Sequence, residues 1–376
     1  MAKRANGKKL TPRKIPNMAG KAISVNGVID PAKLGATIMH EHIFIDFWHD
    51  KKPAFNAPAT EACHWDEKLT LENLHLARDR KPIKDNFLLT DIDLAIREVA
   101  DFRHLGGDTV VDVTSIGLGR DPIALLKVSN ATGLNVVMGS NWYKKSFHPP
   151  FMDKLTAEEI AEQNIKDLVE GVDDTGIRPG IIGEVGLDGN PITPNEEKLI
   201  RSAAWASRAT GAAISLHSGG FNWEKPKVAR MFAEEGADLQ RVIFGHCNSY
   251  AAEIDLLLEL LNMGCYVQFD TLGRVVAPVA RKPDPPGYNP KGPDVANDVL
   301  VSECIPRLID EGFEDKILLS QDVCTKIQLK AYGGTGYSFV LEKFLPYLRS
   351  VGVSEKHIHK MMVENPKRVL TFVEPG

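Results

Sequence analysis

The chain has 376 residues, with 45 Lys and Arg against 50 Asp and Glu, so its formal net charge is −5, and 43% of its residues are apolar. A chain of this length and apolar content can bury a large core, which excludes an intrinsically disordered protein and a small disulfide-stapled scaffold. The near-neutral charge predicts no nucleic-acid partner, and no apolar run approaches the roughly 18 residues that a membrane span needs.

The first residues of the chain differ in composition from the rest. Residues 1–21 contain seven Lys and Arg and no acidic residue, and no apolar stretch follows them as it would in a secretory signal. We expect a flexible basic tail over residues 1–21 and one barrel domain over residues 22–376. The five Cys residues include no C-x-x-C pair, so free thiols in a reducing compartment, and hence a cytoplasmic protein, are expected.

Eight short apolar runs recur along the chain. They read as continuously apolar rather than alternating, which is typical of parallel strands covered on both faces. We predict strands at residues 36–44, 109–114, 135–139, 180–185, 212–217, 241–246, 265–269 and 317–320.

Helical stretches lie between and after these runs. Thr156 with Glu159 and Thr193 with Glu196 have the spacing of capping boxes at helix starts. We predict helices at residues 91–102, 122–131, 157–172, 194–209, 226–235, 252–263, 298–312 and 338–351.

The alternation of strands and helices predicts an α/β protein with a single (β/α)8 TIM barrel. A doubly wound open sheet is the alternative, but no G-x-G-x-x-G motif follows the first strand. Residues 46–89 form a long insertion between the first strand and its helix, and loops of that length are usually functional or disordered.

Candidate chemistry is found at the carboxyl ends of the predicted strands, where barrel active sites lie. His40 and His42 are two residues apart on the first strand, so both imidazoles point to the same face and can reach one ion. Two polar residues at a strand end, without a metal, are the alternative reading of this pair.

Further polar residues occupy the ends of other strands. Each has a structural explanation if it is taken alone: a buried salt bridge for a carboxylate within an apolar strand, a hydrogen-bonded core residue for a single His, and a helix cap for an Asp. These residues are Glu184 in the fourth strand, His217 in the fifth, His246 in the sixth and Asp322 after the eighth.

The joint pattern favours a metal centre. Four His and two carboxylates at the ends of strands in one closed ring exceed the four ligands of one tetrahedral zinc and suit two ions with a bridging carboxylate and a bridging water. Two divalent ions are therefore the expected cofactors. Zinc is the leading candidate, and manganese, cobalt and iron(II) are compatible with the same ligands. The predicted ligands are His40, His42, Glu184, His217, His246 and Asp322.

Several motifs, spread over roughly residues 22–373, show that the sequence resembles the phosphotriesterase family of the amidohydrolase superfamily. They are Gly35-Ala36-Thr37-Ile38-Met39-His40-Glu41-His42, Val111-Asp112-Val113-Thr114, Gly119-Arg120-Asp121-Pro122, Gly183-Glu184-Val185-Gly186, Gly245-His246-Cys247, 332–338 and Glu364-Asn365-Pro366-Lys367-Arg368. The resemblance implies a homodimer as well as the barrel fold.

The resemblance also implies a role for each ligand. His40 and His42 would bind the more buried ion with Asp322, His217 and His246 would bind the more exposed ion, and Glu184 would bridge the two. The best-known organophosphate-hydrolysing and lactonase branches have a carboxylated Lys as the bridge, so a Glu there resembles the phosphotriesterase-related branch.

Residues that contact the substrate are expected in the loops beyond these ligands. Tyr143 matches the position at which lactonase relatives place a Tyr against the substrate ring, and a core aromatic residue is its alternative. Trp142 precedes it in the same loop. Arg274 lies in the loop after the seventh strand, where a cation could bind a carboxylate, sulfonate or phosphate of the substrate, or could simply be solvated.

These features predict a metal-dependent hydrolase that cleaves a carboxyl ester, lactone or amide bond of a small molecule with a hydroxide that bridges the two ions. Asp322 is the predicted catalytic residue, because it can take the hydroxide proton and pass it to the leaving group. The alternative is a phosphotriester hydrolase that uses the same site. Acidic residues follow the sixth-strand His in organophosphatases, whereas Cys247, Asn248 and Ser249 follow it here. A non-catalytic binding barrel would hold no stoichiometric metal.

Overall fold

The computed structural model describes residues 15–54, 56–187, 191–218, 224–274 and 298–376. Within these residues, eight strands form the wall of a barrel, and we number them barrel strands 1 to 8 in chain order. They are Thr37–Glu41, Thr109–Asp112, Asn135–Met138, Ile182–Leu187, Ile214–Ser218, Val242–Phe244, Tyr266–Phe269 and Ile317–Leu319. Each strand overlaps one of the eight predicted runs, so all eight predictions are confirmed.

The eight strands close into a ring. Barrel strands 1, 2 and 3 pair in parallel, and so do strands 4 to 8 in sequence order. Backbone hydrogen bonds join the two groups on both sides: Gly180 N–H donates to Met138 O at 2.9 Å, and Asp322 N–H donates to His40 O at 3.1 Å. The predicted (β/α)8 barrel is therefore confirmed, and the open sheet is excluded.

The helices cover the outside of this ring. Seven of the eight predicted helices begin and end within two residues of the predicted bounds, and both predicted capping boxes are formed, at Thr156 and at Thr193. The seven helices are Ile92–His104, Pro122–Thr132, Ala157–Glu170, Pro194–Thr210, Lys225–Glu234, Ile254–Asn262 and Asp298–Asp310.

The C-terminal helical region differs from the prediction. The eighth helix contains a π-helical turn, Val340–Phe344, before the α-helix Leu345–Ser350. It is followed by two short helices that were not predicted, Glu355–His359 and Asn365–Leu370, with a second π-helical turn between them.

The core has two layers because the strands are apolar on both faces. Side chains such as Met39, Val111 and Leu318 fill the barrel interior, whereas a larger cluster fills the space between strands and helices. Continuous apolar runs are what such a double-sided burial requires. None of the helices in the described part of the chain combines the length and hydropathy that a membrane span requires.

The long insertion between barrel strand 1 and its helix has a small core of its own. Leu69, Leu74, Ala77 and Ile83 pack together there, and two of them lie in the short helix Leu74–Arg78. A second short helix of the insertion is Ala59–Ala62. The strands Ile45–Asp46 and Leu88–Leu89 pair and tie the two ends of the insertion together. This insertion forms one wall above the carboxyl ends of the strands.

The two ends of the described chain meet at the opposite side of the barrel. The hairpin Ala22–Ser24 and Gly27–Ile29 precedes the first barrel strand. Gly20 N–H donates to Phe372 O at 2.9 Å, and Phe372 N–H donates to Lys21 O at 2.8 Å. Residues 1–14 of the predicted basic tail lie outside the described residues, so the tail stays a prediction.

Candidate metal centre at the carboxyl ends of the strands

Polar side chains from five barrel strands converge at one rim of the ring. His40 lies in strand 1, and His42 directly follows that strand. Glu184 lies in strand 4, and His217 lies in strand 5. His246 and Asp322 come from the segments directly after strands 6 and 8. The structure therefore brings together all six residues that the sequence analysis selected as ligands.

Glu184 lies at the centre of this group. Its Oε2 is 3.2 Å from His40 Nε2 and 3.0 Å from His217 Nδ1, and its Oε1 is 3.4 Å from His42 Nε2. The carboxylate is 1% exposed. One buried carboxylate thus lies close to three imidazoles, two from barrel strand 1 and its end and one from barrel strand 5.

Two further contacts complete the ring of donors. Asp322 Oδ1 lies 3.3 Å from His42 Nε2, on the side of barrel strand 1. On the other side, His246 Nε2 lies 2.9 Å from His217 Nδ1. The donors therefore form two neighbouring groups, one deeply buried and one closer to solvent, with Glu184 between them.

A seventh residue, Asp270 after barrel strand 7, belongs to the same cluster and was not among the predicted ligands. Its Oδ1 is 2.9 Å from His246 Nδ1, and its Oδ2 is 3.4 Å from His40 Nδ1. The side chain is fully buried. A carboxylate that directly follows an apolar strand is the same signal that identified Asp322, so the sequence did contain it.

Asp270 also supports an uncommon backbone conformation. His246 has a φ of 55°, in the left-handed region, and Asp322 has a φ of 51°. Such angles are strained for residues other than Gly and persist where the surroundings hold them. Both oxygens of Asp270 accept the His246 backbone N–H, at 2.9 and 3.0 Å. This contact directs the His246 ring towards the cluster.

Buried carboxylates give the cluster an excess of negative charge. Burial lowers the pKa of His40, but Asp270, Glu184 and Asp322 raise it more, to about 10. Burial raises the pKa of Glu184, yet His217 and His40 more than offset this, so that pKa lies well below its usual range. The carboxylates therefore stay ionised, and the site attracts positive charge.

The residues present fit divalent metal ions. Both ring nitrogens of His40 are buried and make no hydrogen bond of suitable geometry within the described residues, although buried polar atoms normally make one. Three overlapping sets of donor atoms, each set within 4.8 Å, could hold an ion: His40, His42 and Glu184; Glu184, His217 and His246; and His40, His246 and Asp270. Imidazole and carboxylate together suit zinc, manganese, cobalt and iron.

A pocket of about 490 Å³ opens above this cluster. Two of the predicted substrate-contacting residues, Tyr143 and Arg274, line it. The Tyr143 hydroxyl is 3.2 Å from His217 Nδ1, and an Arg274 N–H donates to the carboxylate of Asp322. Cys324 also lines the pocket, but burial raises the pKa of its thiol, so it is not a thiolate nucleophile.

The structure does not bring the third predicted substrate-contacting residue, Trp142, to this pocket. Trp142 lines a separate cavity of about 520 Å³, with its ring 6.0 Å from that of Phe151. Consecutive side chains of an extended segment point to opposite sides, so Tyr143 and Trp142 cannot both face the cluster. Most of the predicted specificity loop after strand 7, residues 275–297, lies outside the described residues.

A closed (β/α)8 barrel that gathers buried imidazoles and carboxylates at the carboxyl ends of its strands defines a class, the metal-dependent barrel hydrolases. Within that class, the chain belongs to the phosphotriesterase family, whose model matches residues 20–370. The predicted family, fold and enzyme class are thereby confirmed.

Individual relatives cover almost the whole chain. The N-acetyltaurine hydrolase of Dictyostelium discoideum is 34% identical over 94% of this chain and 99% of its own length. A resiniferatoxin-binding protein from Rhodobacter sphaeroides superposes with a TM-score of 0.85 at 36% identity, covering 93% of this chain and 95% of that one. A lactonase from Listeria monocytogenes superposes with a TM-score of 0.73 at 26% identity, covering 94% and 99%.

Proposed function

We propose that this protein hydrolyses an amide, ester or lactone bond of a small molecule at a centre of two divalent metal ions, with zinc as the first expectation. His40, His42 and Asp322 would hold the more buried ion, His217 and His246 would hold the more exposed ion, and Glu184 would bridge them. The position of the Glu184 carboxylate between His40, His42 and His217 is the observation that carries this proposal.

The bond type is supported by the relatives and by the residues after strand 6. One relative is named for amide hydrolysis and another for lactone hydrolysis, and both act on C=O groups. Asn248, two residues after His246, accepts the backbone N–H groups of Asp270 and Thr271 at 2.9 and 3.1 Å. It therefore holds the backbone after strand 7 and does not supply the acid found there in organophosphatases.

When bound, the two ions would supply a water of lowered pKa and a Lewis acid for the carbonyl oxygen. Asp322 lines the pocket, so its carboxylate can accept the proton of the attacking water and return it to the leaving group. Tyr143 also lines the pocket, with its hydroxyl beside His217, where it can orient the substrate. Glu184 and His42 line the same pocket, so a bound carbonyl group would lie beside the cluster.

The proposal is tested on the purified protein loaded with zinc or manganese. We expect about two metal equivalents per chain by elemental analysis, and turnover of at least one substrate in a panel of N-acyl amino acids, N-acetyltaurine, γ- and δ-lactones and an aryl dialkyl phosphotriester. Glu184→Ala removes the shared ligand, so metal content and turnover should both collapse. Glu158→Ala, an exposed acid on an outer helix, is the matched control and should keep both.

Each outcome of this panel decides between the candidate functions. A kcat/KM for the phosphotriester far above that of every C=O substrate would establish the alternative activity instead. A protein that retains no stoichiometric metal after loading would be a non-catalytic barrel. The homodimer and the cytoplasmic location remain predictions, which sedimentation of the purified protein and localisation of the tagged chain would check.

A further inference from the structure

Two lysines from different loops meet at the mouth of the catalytic pocket. Lys51 comes from the long insertion after barrel strand 1, and Lys144 comes from the loop after barrel strand 3. Both line the pocket. They hold the carboxylate of Asp50 between them, with Lys51 Nζ 3.1 Å from its Oδ1 and Lys144 Nζ 3.0 Å from its Oδ2. The pair therefore already binds one carboxylate at this position.

Lys144 is held close to the metal cluster. It follows Tyr143, and its ammonium lies 5.8 Å from the centre of the Tyr143 ring. Lys144 lines the same pocket as His217. The Lys144 charge is therefore close to a residue of the cluster.

The approach of this loop to the cluster depends on a glycine. A Cβ at Gly186, two residues after Glu184, would overlap with the peptide that joins residues 143 and 144. The absence of a side chain at that position in barrel strand 4 lets the Tyr143–Lys144 peptide rest directly on the strand. Gly186 therefore allows the loop with Tyr143 and Lys144 to lie against the strand that carries Glu184.

The charges around the pocket mouth are mostly positive. Lys51, Lys144 and Arg274 are the cationic side chains among the described lining residues, and the carboxylates in that lining are Glu184 and Asp322 at the floor. Arg274 is directed to Asp322. Lys51 and Lys144 are partly exposed, at 35% and 18%, so both can reach a ligand that enters from solvent.

We propose that Lys51 and Lys144 form an anion subsite, so that the substrate carries a carboxylate or sulfonate at the end remote from the scissile C=O bond. This inference rests on the proposed hydrolysis of a C=O bond and specifies the substrate class. Ammonium groups bind such oxygens by charge-assisted hydrogen bonds. Asp50 occupies both ammonium groups in the absence of substrate, and the substrate anion competes with it for them.

The alternative role for this cluster is purely structural, since Asp50 also joins the long insertion to the loop after strand 3. The two roles predict opposite effects of Asp50→Asn. Loss of a structural link should weaken catalysis in the same way as loss of either lysine. Loss of a competing carboxylate should instead lower the KM for an anionic substrate, because both ammonium groups become available to it.

The test uses pairs of substrates that differ only in charge. N-acetyltaurine is compared with N-[2-(methylsulfonyl)ethyl]acetamide, and N-acetyl-β-alanine with its primary amide. We expect Lys144→Met and Lys51→Met each to lower kcat/KM for the anionic substrate of a pair by about 10- to 100-fold, because each removes one charge-assisted hydrogen bond. The kcat/KM for the neutral substrate should fall by less than about threefold. Lys145→Met, at the exposed next position, should change neither.

Comparison of the sulfonate with the carboxylate identifies which acid group the subsite prefers. Equal losses on the charged and neutral partners, or an Asp50→Asn variant that behaves like Lys144→Met, would overturn the anion subsite. Binding of the non-hydrolysable 2-(methylsulfonylamino)ethanesulfonate, measured by calorimetry, separates the two proposals. If this compound binds in a lysine-dependent way while no C=O substrate is cleaved, the subsite stands and the hydrolase proposal fails.

Discussion

Replacement of Asp270 by Asn tests whether this unpredicted carboxylate belongs to the metal centre. Asp270 accepts the ring N–H and the backbone N–H of His246, and its second oxygen also accepts an N–H from Gln268 at 2.9 Å and faces His40. An Asn retains one oxygen. In either orientation of its amide, an NH₂ group therefore faces an N–H donor.

The size of the expected change in zinc affinity follows from these contacts. Losing one charge-assisted hydrogen bond costs about 1.5–3 kcal/mol, and each 1.4 kcal/mol is a factor of ten in affinity. If the loss falls on the orientation of His246 and His40 for metal, the dissociation constant for zinc should rise about 10- to 100-fold, which is also the usual effect of residues that orient metal-bound imidazoles.

Competition with a chromophoric chelator on the apo-protein measures this constant directly, without any assay of activity. Asp167→Asn is the matched control, because Asp167 is equally buried but lies beside Arg120 and Gln163, away from the cluster. The control should lose stability and keep its zinc affinity. If the Asp270→Asn variant is fully folded and its zinc affinity is within about twofold of that of the wild type, Asp270 does not belong to the metal centre.

Two further predictions concern stability. Burial raises the pKa of Asp85, but hydrogen bonds from Lys326 and Lys68 lower it below its usual value. The ionised carboxylate therefore stabilises the fold fully above the unfolded-state pKa, near about 4. This stabilisation is lost as the pH falls through the folded-state pKa. Asp85→Asn should lower the free energy of unfolding by about 1–3 kcal/mol at neutral pH, and urea titrations should show the difference shrinking in acid; a constant difference would contradict the linkage. Gly186→Ala should lower the free energy of unfolding by about 1–3 kcal/mol, because the new Cβ overlaps the 143–144 peptide. It should also reduce turnover more than Asp85→Asn, a variant with a similar expected loss of stability. An unchanged melting temperature and unchanged turnover would show that the loop moves away from the new side chain without cost.

Much of the site could be predicted because its residues can be recognised from the few residues on either side of them. A His or a carboxylate that ends an apolar strand is visible in a few neighbouring letters, and the barrel topology then places all strand ends at one rim. His40, His42, Glu184, His217, His246 and Asp322 were found in this way. Asp270 follows barrel strand 7 in the same way, but it was not among the predicted ligands.

Other features could not be predicted because they depend on contacts between distant segments. Tyr143 and Trp142 are neighbours in the same loop, and only the direction of the backbone as it rests on Gly186 decides that Tyr143 faces the cluster. The π-helical turns near the C-terminus interrupt a periodicity that reads as an ordinary helix in the sequence.

The sequence by itself determined the order of strands and helices, the closed barrel and the residues at its catalytic rim, because hydrophobic periodicity and polar strand ends are properties of short stretches of chain. Only the tertiary structure decided that Lys51 and Lys144 share one carboxylate, and that Asp270 supports both His246 and His40. These contacts join loops far apart in the chain, and their geometry is set by how the strands pack rather than by any local pattern.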